Sequence, residues 1–215
     1  MATVSGAVLV VLTVCAGVQA GYWHDSGALF RHAVAVGQES GPAFYNLGVL
    51  AMNEGHDDEA REYLKKALVL DPKYVNISNN LGVLAAKQGR YDEANEYLRT
   101  ALELEPENVN TLINLGLVAM DQGRYGEATD YLEKVLDLDP KNAFALDSLG
   151  SCLMSQGHND EAEPYFRKAL ALDPQFVDAM SNLGAALAKM GRQEEANGYI
   201  KKAAKAGRAR MVKKD

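Results

Sequence analysis

Large apolar residues recur along most of the chain at spacings of three and four, the period of a helix with one buried face. That pattern repeats itself every 34 residues. Counted from Gly41, five repeats follow without a gap: 41–74, 75–108, 109–142, 143–176 and 177–210. Position seven is always leucine (Leu47, Leu81, Leu115, Leu149, Leu183), and position eight is always glycine (Gly48, Gly82, Gly116, Gly150, Gly184). Position fifteen is glycine again (Gly55, Gly89, Gly123, Gly157, Gly191), followed by glutamate at nineteen and alanine at twenty. Position twenty-four holds Leu64, Leu98, Leu132, Phe166 and Ile200, and a proline closes four repeats at Pro72, Pro106, Pro140 and Pro174.

The pattern predicts two antiparallel helices per repeat. The glycine at fifteen ends the first helix, because it enters the left-handed conformation without a Cβ penalty. Glutamate at nineteen falls in the first turn of the second helix, where the dipole favours an anion. Proline stops that helix before the next repeat begins. The small residues at positions eight and twenty let the paired helices approach closely.

At these positions the sequence resembles the tetratricopeptide repeat (TPR) family, whose period and L-G … A-x3-F … P arrangement it carries across 41–210. The resemblance implies an all-α fold, a right-handed α-solenoid of five 34-residue TPR helix pairs. The chain departs from the family in lacking the early aromatic of the first helix except at Phe44. It also has Arg208 where the closing proline belongs in the fifth repeat.

Residues 22–36 keep the second-helix pattern of an incomplete repeat, with Gly21 in the stop position and Phe30 and Ala33 on the inner side. The expectation is an extra N-terminal helix within 22–40 that caps the array. Before it, no charged side chain occurs from Met1 to Trp23. The hydrophobic segment 1–21 fits a membrane anchor, since a span needs about 20 apolar residues and Tyr22 and Trp23 suit an interface. It also fits a signal peptide cleaved after Val18-x-Ala20, or an apolar helix packed into the array. The favoured localisation is membrane-associated through one N-terminal anchor; secreted or periplasmic after cleavage, and cytoplasmic, stay open. The run from Val18 to Ser26, with Leu29 to Ala33, resembles a junction in membrane-embedded glycosyltransferases, where a last span enters a C-terminal TPR tail.

The chain has 215 residues, of which 47% are hydrophobic and 24% charged, which excludes intrinsic disorder. Its net charge of −7 is uneven. The basic tail 201–215 carries Lys201, Lys202, Lys205, Arg208, Arg210, Lys213 and Lys214 against Asp215, a net +6, so the preceding residues carry −13. An acidic body argues against nucleic acid as a partner. The tail suits a helix C-terminus, or a contact with anionic lipid or the acidic body of another copy.

Two cysteines, Cys15 and Cys152, make neither a disulfide framework nor a zinc site. No nucleophile and base stand at catalytic spacing, and His56 and His158 occupy the turn position filled by Arg90, Arg124 and Arg192. The sequence therefore predicts no enzyme, no catalytic residue, no metal and no cofactor.

The candidate site is a binding face. In a stack of helix pairs the first helices line the concave surface. Position six gives Asn46, Asn80, Asn114, Ser148 and Asn182; position nine gives Val49, Val83 and Leu117; position twelve gives Met52, Met120 and Met154. First helices recur at about 10 Å, and an extended peptide rises about 3.3 Å per residue. One asparagine would thus meet every third peptide unit, offering a donor and an acceptor. This ladder resembles the one in the TPR superhelix of O-linked N-acetylglucosamine transferases, which implies a grip on peptide backbone. The carboxylate clamp of other TPR proteins is disfavoured, because its positions hold Tyr45 and Val49, or Asn79 and Val83. The reading is a non-enzymatic protein–protein interaction scaffold binding an extended segment in the concave groove. Its alternatives are a self-assembling scaffold of a bacterial organelle, from a likeness in size and repeat count to magnetosome-associated TPR proteins, and an accessory subunit of a membrane glycosyltransferase.

Overall fold

A computed structural model describes residues 40–212 together with Phe30, Arg31, His32 and Val34. The hydrophobic segment 1–21 lies outside the described residues, as does most of the expected cap 22–40, of which those four residues are helical. Among the described residues there is no strand, and after that helical fragment come ten helices: α1 (Gly41–Glu54), α2 (Asp57–Leu70), α3 (Val75–Lys87), α4 (Tyr91–Leu104), α5 (Val109–Asp121), α6 (Tyr125–Leu138), α7 (Ala143–Ser155), α8 (Asn159–Leu172), α9 (Val177–Lys189) and α10 (Gln193–Val212). The odd-numbered helices each start 34 residues after the last. The chain forms two compact bodies, Met1–Leu84 and Ala85–Asp215.

The local chemistry of each hairpin follows its sequence. Gly55, Gly89, Gly123, Gly157 and Gly191 all have positive φ, between 71° and 90°, at the turn that ends a first helix. Second helices α2, α4, α6 and α8 begin without a side-chain cap. In its place Arg90 and Arg124, the residues before α4 and α6, pair with first-turn Glu93 and Glu127. His158 stands 3.0 Å from Glu161 in the equivalent position. The histidines singled out in the sequence are thus turn residues, doing what arginine does elsewhere. First helices α5 and α7 use Asn108 and Asn142, whose side-chain oxygens each accept from the third backbone N–H at 3.0 Å.

In the first body α1 and α2 form one hairpin. A Cβ on Gly48 would lie 2.7 Å from Leu64 Cγ, so only glycine lets these two helices meet as they do. In the second body each second helix packs on the first helix of the following repeat: α4 on α5, α6 on α7 and α8 on α9. The cores are continuous in kind, small alanines alternating with leucine: Ala128, Leu132, Ala145 and Leu149 in one cluster, Ala162, Phe166, Leu183 and Ala196 in the next. An ion network ties α8 to α10. Arg167 donates to Glu163 at 2.8 Å and pairs with Glu195, while Arg192 donates to Glu163 at 2.6 Å and pairs with Glu195. With Arg208 at the position of the closing proline, α10 runs on to Val212.

Among the described residues no helix is long and apolar enough to cross a membrane. The candidate anchor is not among them.

Candidate binding face of the first helices

Positions five, six and nine of successive first helices come together in the second body. Asn182 of α9 donates its Nδ2 hydrogens to Asp147 of α7, at 3.0 Å to Oδ1 and 3.2 Å to Oδ2, and lies 3.3 Å from Ser151 Oγ. One helix offers positions five and nine, the next inserts position six between them. The register follows from the 34-residue period, which sets equivalent residues of α7 and α9 side by side. In the first body the same contact is aromatic: Asn80 hydrogen-bonds the Tyr45 hydroxyl, and Tyr45 meets Tyr74 edge-on at 5.0 Å.

The residues expected from the sequence sit unequally on this face. Asn46, Val49, Asn80 and Val83 are half-buried in the first body, as are Asn114, Leu117 and Asn182 in the second. Asn46 donates to the Pro42 carbonyl of its own helix at 2.8 Å. Ser148 is only 4% exposed, so the fourth rung lies beneath the surface. Met120 packs against the core cluster around Ala119 and Cys152, and Met154 against that around Phe166, so both methionines seal joints between repeats. The amide ladder is therefore partly engaged by the protein itself: the donors of Asn182 and one donor of Asn46 are taken.

Asp147 was not among the residues the sequence singled out, though it is the one charged side chain among Tyr45, Asn79, Ile113, Asp147 and Ser181 at position five. It is 6% exposed. Burial pushes its carboxyl up to about 6, against the hydrogen bond from Asn182, which pulls the other way, and with nearby Asp178 adding to the rise. A buried carboxylate held by one amide makes Asn182 structural as well as superficial. Asn182→Ala is expected to cost about 1–3 kcal/mol at pH 8, the penalty for stranding a buried acceptor. Urea unfolding measures it, and the loss should shrink in an Asp147→Asn background. An additive loss in the double variant would contradict the pairing.

Cys152 is fully buried among core residues, and burial pushes its thiol up to about 11, a packing role. Among the described residues no His, Cys, Asp and Glu side chains gather into a group able to hold a metal ion.

Comparison with known proteins agrees with this architecture. Two family models described as tetratricopeptide repeat match residues 40–107 and 79–143. A third, the middle TPR-like domain of cilia and flagella-associated protein 70, matches residues 127–214. No curated protein sequence matches the chain. A crystal structure of MamA is similar at 26% identity and a TM-score of 0.64, over 77% of this chain and 97% of that one. The pilF protein of Pseudomonas aeruginosa is similar at 26% identity and a TM-score of 0.71, over 77% of this chain and 76% of its own. A MamA structure from Desulfovibrio magneticus RS-1, at 22% identity and a TM-score of 0.67, shares the fold.

Proposed function

The chain belongs to the tetratricopeptide repeat family and is a protein-interaction scaffold, and from that premise we propose that its first-helix face binds an extended segment of a partner protein. The observation that carries this reading is the interlocking of Asn182 with Asp147 and Ser151. It joins neighbouring first helices into one polar strip flanked by half-buried Leu117. Such a strip offers amide and hydroxyl groups at the spacing of successive helices, suited to backbone rather than to one side chain. Because Asn182 spends its N–H groups on Asp147 and Ser151, and Asn46 one of its two on Pro42, their side-chain oxygens are the acceptors left to take peptide N–H groups. The apolar segment 1–21 would hold this scaffold at a membrane.

The test is a pull-down from native membrane extract comparing wild type with Asn46→Ala, Asn80→Ala and Asn114→Ala combined. Asn182 is left in place, because its loss would strand Asp147. Partner recovery is expected to fall at least about tenfold, as two or three lost hydrogen bonds imply, with helicity unchanged by circular dichroism. Undiminished recovery would move the site away from this face.

A second reading, a self-assembling organelle scaffold, is favoured by the likeness to MamA over nearly the whole of that chain. Under it, purified protein alone would form large particles whose size rises with concentration.

A further inference from the structure

The last repeat shows a face that earlier repeats hide. Leu64, Leu98, Leu132 and Phe166 are fully buried at position twenty-four, yet Ile200 is 47% exposed. At position twenty-eight Leu68, Leu102, Leu136 and Leu170 are half-buried, whereas Ala204 is exposed. In the second body α6 and α8 are covered along this stripe by the first helix of the next repeat. No described helix follows α10. Val177, Ser181, Ile200, Ala203 and Ala204 line the resulting open groove, about 330 Å³ in volume.

The charges of α10 run in order along it. Glu194 and Glu195 stand in its first turn, and Lys201, Lys202, Lys205 and Arg208 follow. At 100° per residue, Glu194, Lys201, Lys205 and Arg208 fall on one flank of the Ile200–Ala204 stripe, and all four are exposed. Lys202 lies on the other side, over the Tyr199 ring at 4.9 Å. Glu195 is committed to Arg167 and Arg192, which leaves Glu194 as the acid on the open flank.

We propose that the α9–α10 end face docks the same face of a second copy, with the two α10 helices antiparallel about a two-fold axis. In an antiparallel helix pair the same flank of each helix meets. With Ile200 opposite Ile200, Glu194 of each copy then faces Lys205 of the other, and the contact is made twice. The helix dipoles oppose favourably in the same arrangement. A parallel pairing would turn this charged flank toward the opposite flank of the partner helix, away from its Glu194 and Lys205. A helix that is acidic at its start and basic at its end is thus its own complement in one orientation, and a closed two-fold pair is the commonest form of self-association.

Sedimentation equilibrium of the full chain in density-matched detergent tests this. Wild type should sediment at twice the chain mass of 23.3 kDa. Ala204→Glu, at an exposed position, should give monomer with unchanged helicity. Glu194→Lys should weaken the dimer about tenfold, and Glu194→Lys with Lys205→Glu should restore it to within about threefold. Four results overturn the proposal: a monomeric wild type up to about 100 µM, masses rising beyond the dimer as head-to-tail stacking would give, a dimer indifferent to Ala204→Glu, or no recovery on charge exchange.

Discussion

Gly150→Ala is expected to lose about 1–2 kcal/mol of stability, while Gly116→Ala, the same change one repeat earlier, stays within about 0.5 kcal/mol of wild type. The two sites differ in what faces them. A Cβ at Gly150 would lie 2.6 Å from Phe166 Cε1 and 2.9 Å from both Cδ1 and Cζ. The ring is fully buried and clamped among Ala162, Leu183 and Leu187, so it has nowhere to turn. At Gly116 the nearest atoms are Leu132 Cγ at 3.2 Å and Cδ2 at 3.3 Å. A leucine can give a few tenths of an ångström through its own torsions. Alanine also gains about 1 kcal/mol over glycine inside a helix. At Gly116 that gain offsets the crowding; at Gly150 overpacking wins. Urea midpoints at constant slope measure both. Introducing Phe166→Leu should reduce the cost of Gly150→Ala toward the Gly116 value. Equal effects at the two glycines would sink the argument, because it rests on the aromatic ring alone.

The second large effect concerns Asp147. Its carboxyl stands at about 6 in the folded protein against 3.8 in the open chain. A raised acid binds its proton more tightly when folded, so stability is full below about pH 4 and declines as pH rises toward 6. Above 6 the loss is complete, on the order of 3 kcal/mol from this group. Asp147→Asn removes the ionisation and keeps an oxygen for Asn182. The variant is therefore expected to be more stable than wild type at pH 8 by roughly 2–3 kcal/mol and to converge with it near pH 4. Glu195 works in the opposite direction and in another window. Arg167 and Arg192 hold its carboxyl below the usual range, so its contribution fades only at lower pH. Melting temperature between pH 5 and 8 thus isolates Asp147. A wild-type profile as flat as that of Asp147→Asn would show that the buried carboxyl carries no such penalty.

Hydrophobic period and glycine spacing made the helix hairpins legible in the sequence, because both report backbone conformation and close approach, which are local. The stop glycines and position-eight glycines were read from spacing alone; positive φ explains the first set, and close approach of Leu64, Phe166 and Ile200 explains Gly48, Gly150 and Gly184. The face was less legible. A position in a repeat says which way a side chain points, not what it meets on the next helix. Asn182 was expected to face solvent, and it spends its donors on Asp147, a residue 35 positions earlier that periodicity passes over. Ser148 lies on the same row as the asparagines, yet it is buried. Asn108 and Asn142 also went unnoticed as caps, though an asparagine just before an apolar period is the usual sign of one.

The open end of the stack has a consequence for how the molecule comes apart. A repeat array is held by nearest neighbours, so its terminal unit opens at less cost than an interior one. Among the described residues α10 is held by α9, where buried Ala196 packs with Leu183 and Leu187, and by the ion network to α8, with no described helix over its exposed stripe. Amide exchange should accordingly be fastest from the C-terminal end of α10 and slow stepwise through α9 to α7. Whatever covers Ile200 and Ala204 acts as a latch on that unzipping, so occupancy of the end sets the lifetime of the Asn182–Asp147 contact on α9 as well as its own.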